Sequence, residues 1–190
     1  MEIKAFIFDY SGVFTTPEQW EVTSQLDQAH WQSFIENRGA ELGIRPVDIE
    51  NGVKQWGINR QIIMLVALLK KEYKVAILTS LKYELVKNAV DAARIDDLFN
   101  MIIGGAMKTD GEVYKNTATD LSMFPEECML IDDSMANVAT AQGMAMHGIQ
   151  YKGLESLLQS LAAQGFIEFY NPPTQLPQPP MPNPLRPNPF

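Results

Sequence analysis

The sequence predicts an α/β fold, a doubly wound parallel sheet of Rossmann-like type with a small α-helical cap inserted after the first strand. Short apolar runs, typical of buried parallel strands, alternate along the chain with amphipathic stretches of helical period. One interval between two such elements is too long for a simple crossover and indicates the inserted cap. The predicted strands are Lys4–Phe8, Lys74–Leu78, Met101–Ile103, Cys128–Ile131 and roughly Met146–Gln150.

Helices are expected between the strands, because parallel strands need right-handed crossovers on the faces of the sheet. The predicted helices are Asn59–Lys71, Lys82–Arg94, Glu112–Leu121, Met135–Gln142 and Leu154–Ala163. In such a sheet, ligands bind beyond the carboxyl ends of the strands. The residues that directly follow each strand are therefore the candidates for function.

The long interval runs from the end of the first strand, near Asp9, to the helix that starts near Asn59. It contains a helical stretch over Pro17 to Asn37 and a shorter one after Arg45. Two or three helices over the active edge would form a small cap. The predicted organisation is an α/β core over residues 1–14 and 58–170, a cap over 15–57 and a tail over 171–190.

The tail is rich in proline, with nine of the 12 prolines after Tyr170. Proline fixes φ and lacks an N–H donor, so the tail is expected to be extended and polyproline-like. It is a candidate contact with a partner or with a second copy of the chain.

Composition excludes several classes of function. Fifteen Lys and Arg against 23 Asp and Glu give a net charge of -8, which argues against binding to nucleic acid or to an anionic membrane. One cysteine, Cys128, and two histidines exclude a disulfide framework and multi-His zinc sites. The longest uncharged apolar stretch, Gln61 to Leu69, is far shorter than the roughly 20 residues of a spanning helix. Without a secretory signal at Met1, a cytoplasmic location is expected.

Polar residues follow the predicted strands. They are Asp9, Thr79, Ser80, Lys108, Asp132 and Asp133. Carboxylates that converge on one sheet edge suit Mg²⁺, which takes one or two carboxylates and completes its shell with water and phosphate. An aspartate can also act as a covalent nucleophile in phosphoryl transfer. Cys128 and His147 are interpreted as packing residues.

Four short motifs, in order, resemble those of the haloacid dehalogenase-like hydrolases, in particular their capped phosphatase-like branch with a short helical cap. The motifs are FIFDYSGVF, ILTS, GAMKTDGEVY and LIDDSMANVATAQGM. Each is weak alone, but four in register on an alternating β/α background are specific. The resemblance spans about Met1 to Tyr151, and it implies Mg²⁺-dependent hydrolysis of a small phosphorylated metabolite through a phospho-aspartate.

The resemblance also implies roles for single residues. Asp9 would be the nucleophile, Thr79 would bind a phosphoryl oxygen, and Lys108 would neutralise the developing charge. The implied metal ligands are Asp9, the Ser11 carbonyl and Asp133, with Asp132 as a helper, and the implied substrate contacts are Ser80 and Gly12. Lys115 is the alternative to Lys108, but it lies inside a predicted helix.

Ser11 departs from the family pattern, in which a second aspartate usually protonates the leaving oxygen. Serine has no comparable titration near pH 7, which predicts a slow enzyme, one limited to good leaving groups, or one whose acid comes from another residue. Two alternatives stay open. One is a catalytically impaired binding or regulatory protein. The other is a haloacid dehalogenase, which would need an arginine soon after the nucleophile, whereas the first arginine is Arg38.

Overall fold

Five parallel strands form one sheet in the order β3-β2-β1-β4-β5 in a computed structural model, which describes residues 2–15 and 25–167. The strands are β1 Ala5–Phe8, β2 Lys74–Leu78, β3 Met101–Ile103, β4 Cys128–Asp132 and β5 His147–Gln150. The helices are α1 Gln25–Leu42, α2 Pro46–Trp56, α3 Arg60–Leu69, α4 Tyr83–Ala92, α5 Glu112–Asp120, α6 Met135–Gly143 and α7 Leu154–Ala163. The predicted doubly wound α/β fold is confirmed.

The sheet separates two buried apolar layers. On one face, Phe6 and Phe8 pack with side chains of α1 to α4 and α7. On the other face, Ile7 and Leu130 pack with the buried side chains of α5 and α6. Alternate residues of β1 thus enter opposite layers, as the period of two in a strand requires. Burial on both faces explains why the strands are continuous apolar runs.

The described part of the predicted cap packs into the first of these layers. Trp31 and Ile35 of α1, and Ile49 and Val53 of α2, are buried in the same cluster as the sheet residues. The segment leaves and returns at one place, where the backbone N–H of Asn59 donates to the Phe14 carbonyl at 2.7 Å. The cap assignment and the domain bounds stay predictions, and residues 171–190 lie outside the described residues.

Helix α1 ends five residues later than the predicted end at Asn37. Gly39 lies inside the helix and does not end it. The Ile44 carbonyl packs closely there, since a Cβ on residue 39 would lie only 2.8 Å from its oxygen. The helix stops at Gly43, whose φ of +67° is the left-handed conformation that glycine favours.

His147 contradicts its interpretation as a packing residue. It is exposed at the start of β5, which is an edge strand with a neighbour on one side only. No described helix is long and apolar enough to cross a membrane.

Cys128 does pack in the core, and its reactivity gives a first test of the fold. The residue is fully buried, and burial raises the pKa of its thiol to about 12. At pH 8 the native thiol should therefore react with a disulfide reagent at least ~10²-fold more slowly than in urea. A Leu68→Cys variant, which adds a thiol at a position that is 48% exposed, should show one fast and one slow thiol. Two fast thiols in the folded variant would contradict the position of β4.

Candidate active site

Neighbouring strands β1 and β4 bring the first two site residues together. The register pairs Phe8 with Ile131, and the Asp9 N–H donates to the Ile131 carbonyl at 2.8 Å. Asp9 and Asp132 therefore lie side by side at the carboxyl edge. The chain winds towards β3 on one side of this point and towards β5 on the other. At such a topological switch point the loops after neighbouring strands run to opposite sides of the sheet, and ligands bind in the crevice between them.

Asp9 is a buried carboxylate whose Oδ1 is held from two sides. The Tyr10 N–H donates to Oδ1 at 2.7 Å, and the Lys108 ammonium lies 2.5 Å from the same atom. Within residues 2–15 and 25–167, no hydrogen bond reaches Oδ2. Burial raises the pKa of the carboxyl, against the opposing effect of Lys108. One oxygen is thus fixed while the other keeps its lone pairs for a ligand.

Lys108 lies buried between two carboxylates. Its ammonium is 3.0 Å from Asp132 Oδ2 as well as 2.5 Å from Asp9 Oδ1. The loop that carries Lys108 is anchored by the fully buried Tyr114, whose hydroxyl donates to the Lys108 carbonyl at 3.0 Å. Lys115, the alternative, is exposed on α5 and pairs with Glu112 at 2.7 Å. The structure thus brings Lys108, and not Lys115, to Asp9.

Asp132 is fully buried, and its lone pairs are already used by the protein. Oδ1 accepts from the Ser134 N–H at 2.9 Å and from Asn137 Nδ2 at 3.1 Å. Oδ2 accepts from Lys108 at 3.0 Å and from the same Asn137 amide at 3.2 Å. Asp132 therefore fits a role in positioning Lys108 better than the metal role implied for it as a helper.

The donor set fits a divalent cation. Asp9, Asp132 and Asp133 each offer a carboxylate oxygen, and these oxygens lie within 4.8 Å of one another. Since the oxygens of Asp132 are occupied by hydrogen bonds, Asp9 and the exposed Asp133 are the pair left for a metal. Two carboxylates match the protein ligands that Mg²⁺ takes, since this ion completes its shell with water and phosphate.

Gly12 supports Asp133 from the turn after β1. Its φ is +79°, and a Cβ there would lie 2.2 Å from Asp133 Oδ2. The turn thus needs glycine both for its backbone conformation and for space beside the carboxylate. Ser11, its neighbour, is exposed, and its backbone forms an isolated bridge with Thr15.

Gly12→Ala is therefore expected to weaken Mg²⁺ binding as well as stability. The left-handed backbone alone should cost about 1–2 kcal/mol, and displacement of Asp133 should add a loss of Mg²⁺ affinity. Gly105→Ala is the matched control, because Gly105 has a φ of +70° with nothing within 4 Å of the added Cβ. Unfolding curves with and without Mg²⁺ would separate the effects. An equal Mg²⁺ response in both variants would contradict the link from Gly12 to Asp133.

Thr79 and Ser80 follow β2 at the same edge. Thr79 is fully buried, and its Oγ1 accepts from the Leu81 N–H at 3.2 Å. Its backbone joins the neighbouring loop, since its carbonyl accepts from the Ala106 N–H at 2.9 Å. Ser80 is exposed. The substrate roles of both residues stay predictions.

Two side-chain positions around the site were missed by the sequence reasoning. Asn137 donates to both oxygens of Asp132, and Tyr114 anchors the Lys108 loop. The signal for Asn137 was its place in the first turn of α6, five residues after Asp132. The Ser134 hydroxyl, which caps α6, accepts from the Asn137 N–H at 3.5 Å.

The sequence matches the family model of the haloacid dehalogenase-like hydrolases over residues 57–151, half of its 190 residues. The chain belongs to the haloacid dehalogenase-like hydrolases. The matched segment contains β2 to β5, and with them Thr79, Lys108 and Asp133. The resemblance carried by the four motifs is thereby confirmed at the level of the family. No curated protein sequence is significantly similar to this hydrolase.

Solved structures show the same fold at low sequence identity. A HAD-family enzyme from Bacteroides thetaiotaomicron, in complex with magnesium and inorganic phosphate, is 18% identical with a TM-score of 0.55, and the match covers 82% of this hydrolase and 98% of that chain. A predicted HAD-like hydrolase from Porphyromonas gingivalis is 17% identical with a TM-score of 0.53, covering 85% and 98%.

Proposed function

We propose that this hydrolase cleaves phosphate monoesters of small metabolites with Mg²⁺ and a phosphorylated Asp9. The observation that carries the proposal is the contact of one buried ammonium, that of Lys108, with both Asp9 and Asp132 beside the exposed Asp133. This arrangement supports the assignment of a nucleophile, a fixed positive charge and a metal carboxylate to three neighbouring side chains.

Asp9 would act through its carboxylate. The carboxylate attacks phosphorus, a bond from Oδ to phosphorus forms, and the bond to the ester oxygen breaks with its electron pair on the leaving group. That oxygen takes a proton from solvent. Water then attacks the phosphoryl group, which returns the Asp9 carboxylate and releases inorganic phosphate. Covalent catalysis of this kind divides one difficult step into two easier ones.

The charge on the phosphoryl oxygens needs positive partners held in place beforehand. Lys108 supplies one, and Asp132, which accepts from Asn137, holds its ammonium beside Asp9. Asp9 and Asp133 would hold Mg²⁺, which when bound neutralises the phosphate and orients it for in-line attack. Thr79 would donate its hydroxyl to a phosphoryl oxygen.

Ser11 determines which esters can react. A carboxylic acid at this position would protonate the leaving oxygen, whereas the Ser11 hydroxyl cannot supply a proton at neutral pH. Proton transfer of this kind contributes about 10²–10⁴-fold in rate. The leaving group must then depart as a stable anion, which favours phenols over alkyl alcohols.

Ser11→Asp should restore this proton transfer. Hydrolysis of an alkyl phosphate is expected to rise by about 10²-fold, and that of p-nitrophenyl phosphate much less, because p-nitrophenolate needs no proton. Ser11→Asn is the control with a similar shape and no acid. Equal gains on the two substrates, or an equal gain in the Asn variant, would show that Ser11 is not the limiting residue.

A phosphate-release screen tests the proposed function itself. Sugar phosphates, acyl phosphates and p-nitrophenyl phosphate are assayed with and without Mg²⁺, on the wild type and on Asp9→Asn. Release that needs both Mg²⁺ and Asp9 supports the proposal. No release from any substrate would favour the second candidate, a binding or regulatory protein, for which the absent acid at Ser11 is the specific observation.

Dehalogenation is the least favoured chemistry. The first arginine of the sequence, Arg38, is engaged elsewhere, because its guanidinium pairs with Asp97 and donates to the Arg94 carbonyl. It is therefore not available to bind a halide ion beside Asp9.

A further inference from the structure

The loop that carries Lys108 is joined to the loop that carries Thr79. The Gly105 N–H donates to the Leu81 carbonyl at 2.6 Å, and the Ala106 N–H donates to the Thr79 carbonyl at 2.9 Å. These hydrogen bonds continue the pairing of β2 with β3 beyond the ends of the two strands. The loops after β2 and β3 therefore form one unit at the carboxyl edge of the sheet.

Gly104 lies against the backbone of the loop after β2. A Cβ on residue 104 would lie 2.3 Å from the Tyr83 nitrogen, 2.4 Å from the Tyr83 Cα and 2.9 Å from the Leu81 carbonyl oxygen. All three are backbone atoms, which cannot rotate away as the end of a side chain can. Ordinary contact between such atoms needs about 3.5 Å, so one of the loops would have to move by roughly 1 Å to make room for a methyl group. Gly104 is not in the left-handed conformation, so it is the lack of space that requires glycine here.

Lys108 has little freedom to absorb such a movement. Its ammonium lies 2.5 Å from Asp9 Oδ1 and 3.0 Å from Asp132 Oδ2, and the side chain is buried. Only three residues separate Lys108 from Gly104 along the chain. A movement at Gly104 therefore changes the position of Lys108 relative to Asp9, or relative to Thr79 if the loop after β2 moves instead.

We propose that Gly104 is a positioning residue, which sets the place of Lys108 relative to Asp9 and Thr79 through the two joined loops. The catalytic consequence rests on the proposed function, in which the ammonium of Lys108 stabilises the phosphoryl group. A charge that is already in place needs no reorganisation during the reaction, and this is the source of its effect on the rate. Misplacement of such a group by about 1 Å lowers the rate by about 10²-fold.

Gly104→Ala tests the inference, with Gly105→Ala as the matched control in the same loop. Gly105 has a φ of +70° and nothing within 4 Å of an added Cβ, so alanine there strains the backbone without pushing the loops apart. Gly104→Ala should lower kcat for p-nitrophenyl phosphate by about 10²-fold in protein that circular dichroism shows to be folded. Gly105→Ala should lower the melting temperature and keep kcat close to that of wild type. Equal losses of kcat in the two variants, or a wild-type kcat in Gly104→Ala, would overturn the inference.

A spectroscopic measurement separates the inference from the proposed function. The buried ammonium of Lys108 should give its own resonance in the nuclear magnetic resonance spectrum of metal-free protein made with isotopically labelled lysine, and Lys108→Arg identifies that resonance by removing it. Gly105→Ala should keep the resonance in place, whereas Gly104→Ala should shift or remove it, even if no ester is cleaved. An unshifted resonance in Gly104→Ala would show that Gly104 does not position Lys108.

Insertion of one glycine between Ala106 and Met107 gives a second test if Gly104→Ala does not fold. The insertion adds no side chain at the crowded position and leaves both hydrogen bonds between the loops available, but it lengthens the connection to Lys108. It should lower kcat and shift the Lys108 resonance as Gly104→Ala does. A wild-type kcat together with an unshifted resonance would contradict a role of the joined loops in holding the lysine.

Discussion

Asp9→Asn is expected to abolish phosphate release and at the same time to raise the melting temperature of the metal-free protein. Loss of the nucleophile should lower kcat/KM on the order of 10⁴-fold or more. The gain in stability follows from burial, which raises the pKa of Asp9 because the ionised carboxylate is poorly solvated there. Asparagine has the same shape without that charge. A gain of about 1 kcal/mol would raise the melting temperature by about 2–4 °C.

The raised pKa of Asp9 also determines how the stability difference between the variant and wild type changes with pH. An acid whose pKa is higher in the folded than in the unfolded protein favours the folded state below the unfolded pKa, near 3.9 for Asp. That contribution is lost as the pH rises through the folded pKa. The stability difference between Asp9→Asn and wild type should therefore be present at pH 7 and disappear below about pH 4.

Asp48→Asn is the control, because the pKa of Asp48 is shifted in the opposite direction to that of Asp9. The hydrogen bond from Arg45 lowers the pKa of Asp48, so its neutralisation should leave the melting temperature unchanged or slightly lower. Mg²⁺ should stabilise wild type and Asp48→Asn more than Asp9→Asn, because only the latter lacks a proposed ligand. A melting temperature for Asp9→Asn below that of wild type at pH 7 would contradict the cost assigned to the ionised carboxylate. Phosphate release retained by Asp9→Asn would show that Asp9 is not the nucleophile.

The elements of the sheet could be predicted because their signals are local. Apolar runs bounded by polar residues gave the strands, and α7 was predicted with its observed bounds, Leu154–Ala163. The end of α1 was missed because two glycines lie near it. Gly39 is tolerated inside the helix because the chain after the helix packs closely against it at Ile44 and Pro46, while Gly43 ends the helix.

The site could be predicted as a set of residues but not as a set of contacts. Adjacent aspartates at the end of β4 look equivalent in the sequence, and the strand register decides that Asp132 faces inward to Lys108 while Asp133 is exposed. The contribution of Asn137 depends on the first turn of α6 returning to the strand end, and its spacing of five residues from Asp132 does not by itself specify that contact.

Lys108→Met is expected to remove activity and to destabilise the fold strongly, because two buried carboxylates would lose their shared counter-charge. Breaking a buried ion pair from one side costs about 3–5 kcal/mol of unfolding free energy. Lys115→Met is the matched control. Its exposed pair with Glu112 within α5 should contribute about 0.5 kcal/mol or less, and phosphate release should be unchanged. Loss of activity in Lys115→Met alone would exchange the roles of the two lysines.

Adding Asp132→Asn to Lys108→Met separates the structural role of the lysine from its catalytic role. The second change removes one of the two unpaired carboxylates, and its amide still accepts from the Ser134 N–H. Stability should then recover in part, with a coupling energy of about 1–3 kcal/mol between the two positions. Activity should not recover, since no ammonium remains beside Asp9 to neutralise the phosphoryl group. Additive losses of stability would show that Lys108 and Asp132 do not act as a pair, whereas recovery of phosphate release would show that the charge of Lys108 serves the fold and not the reaction.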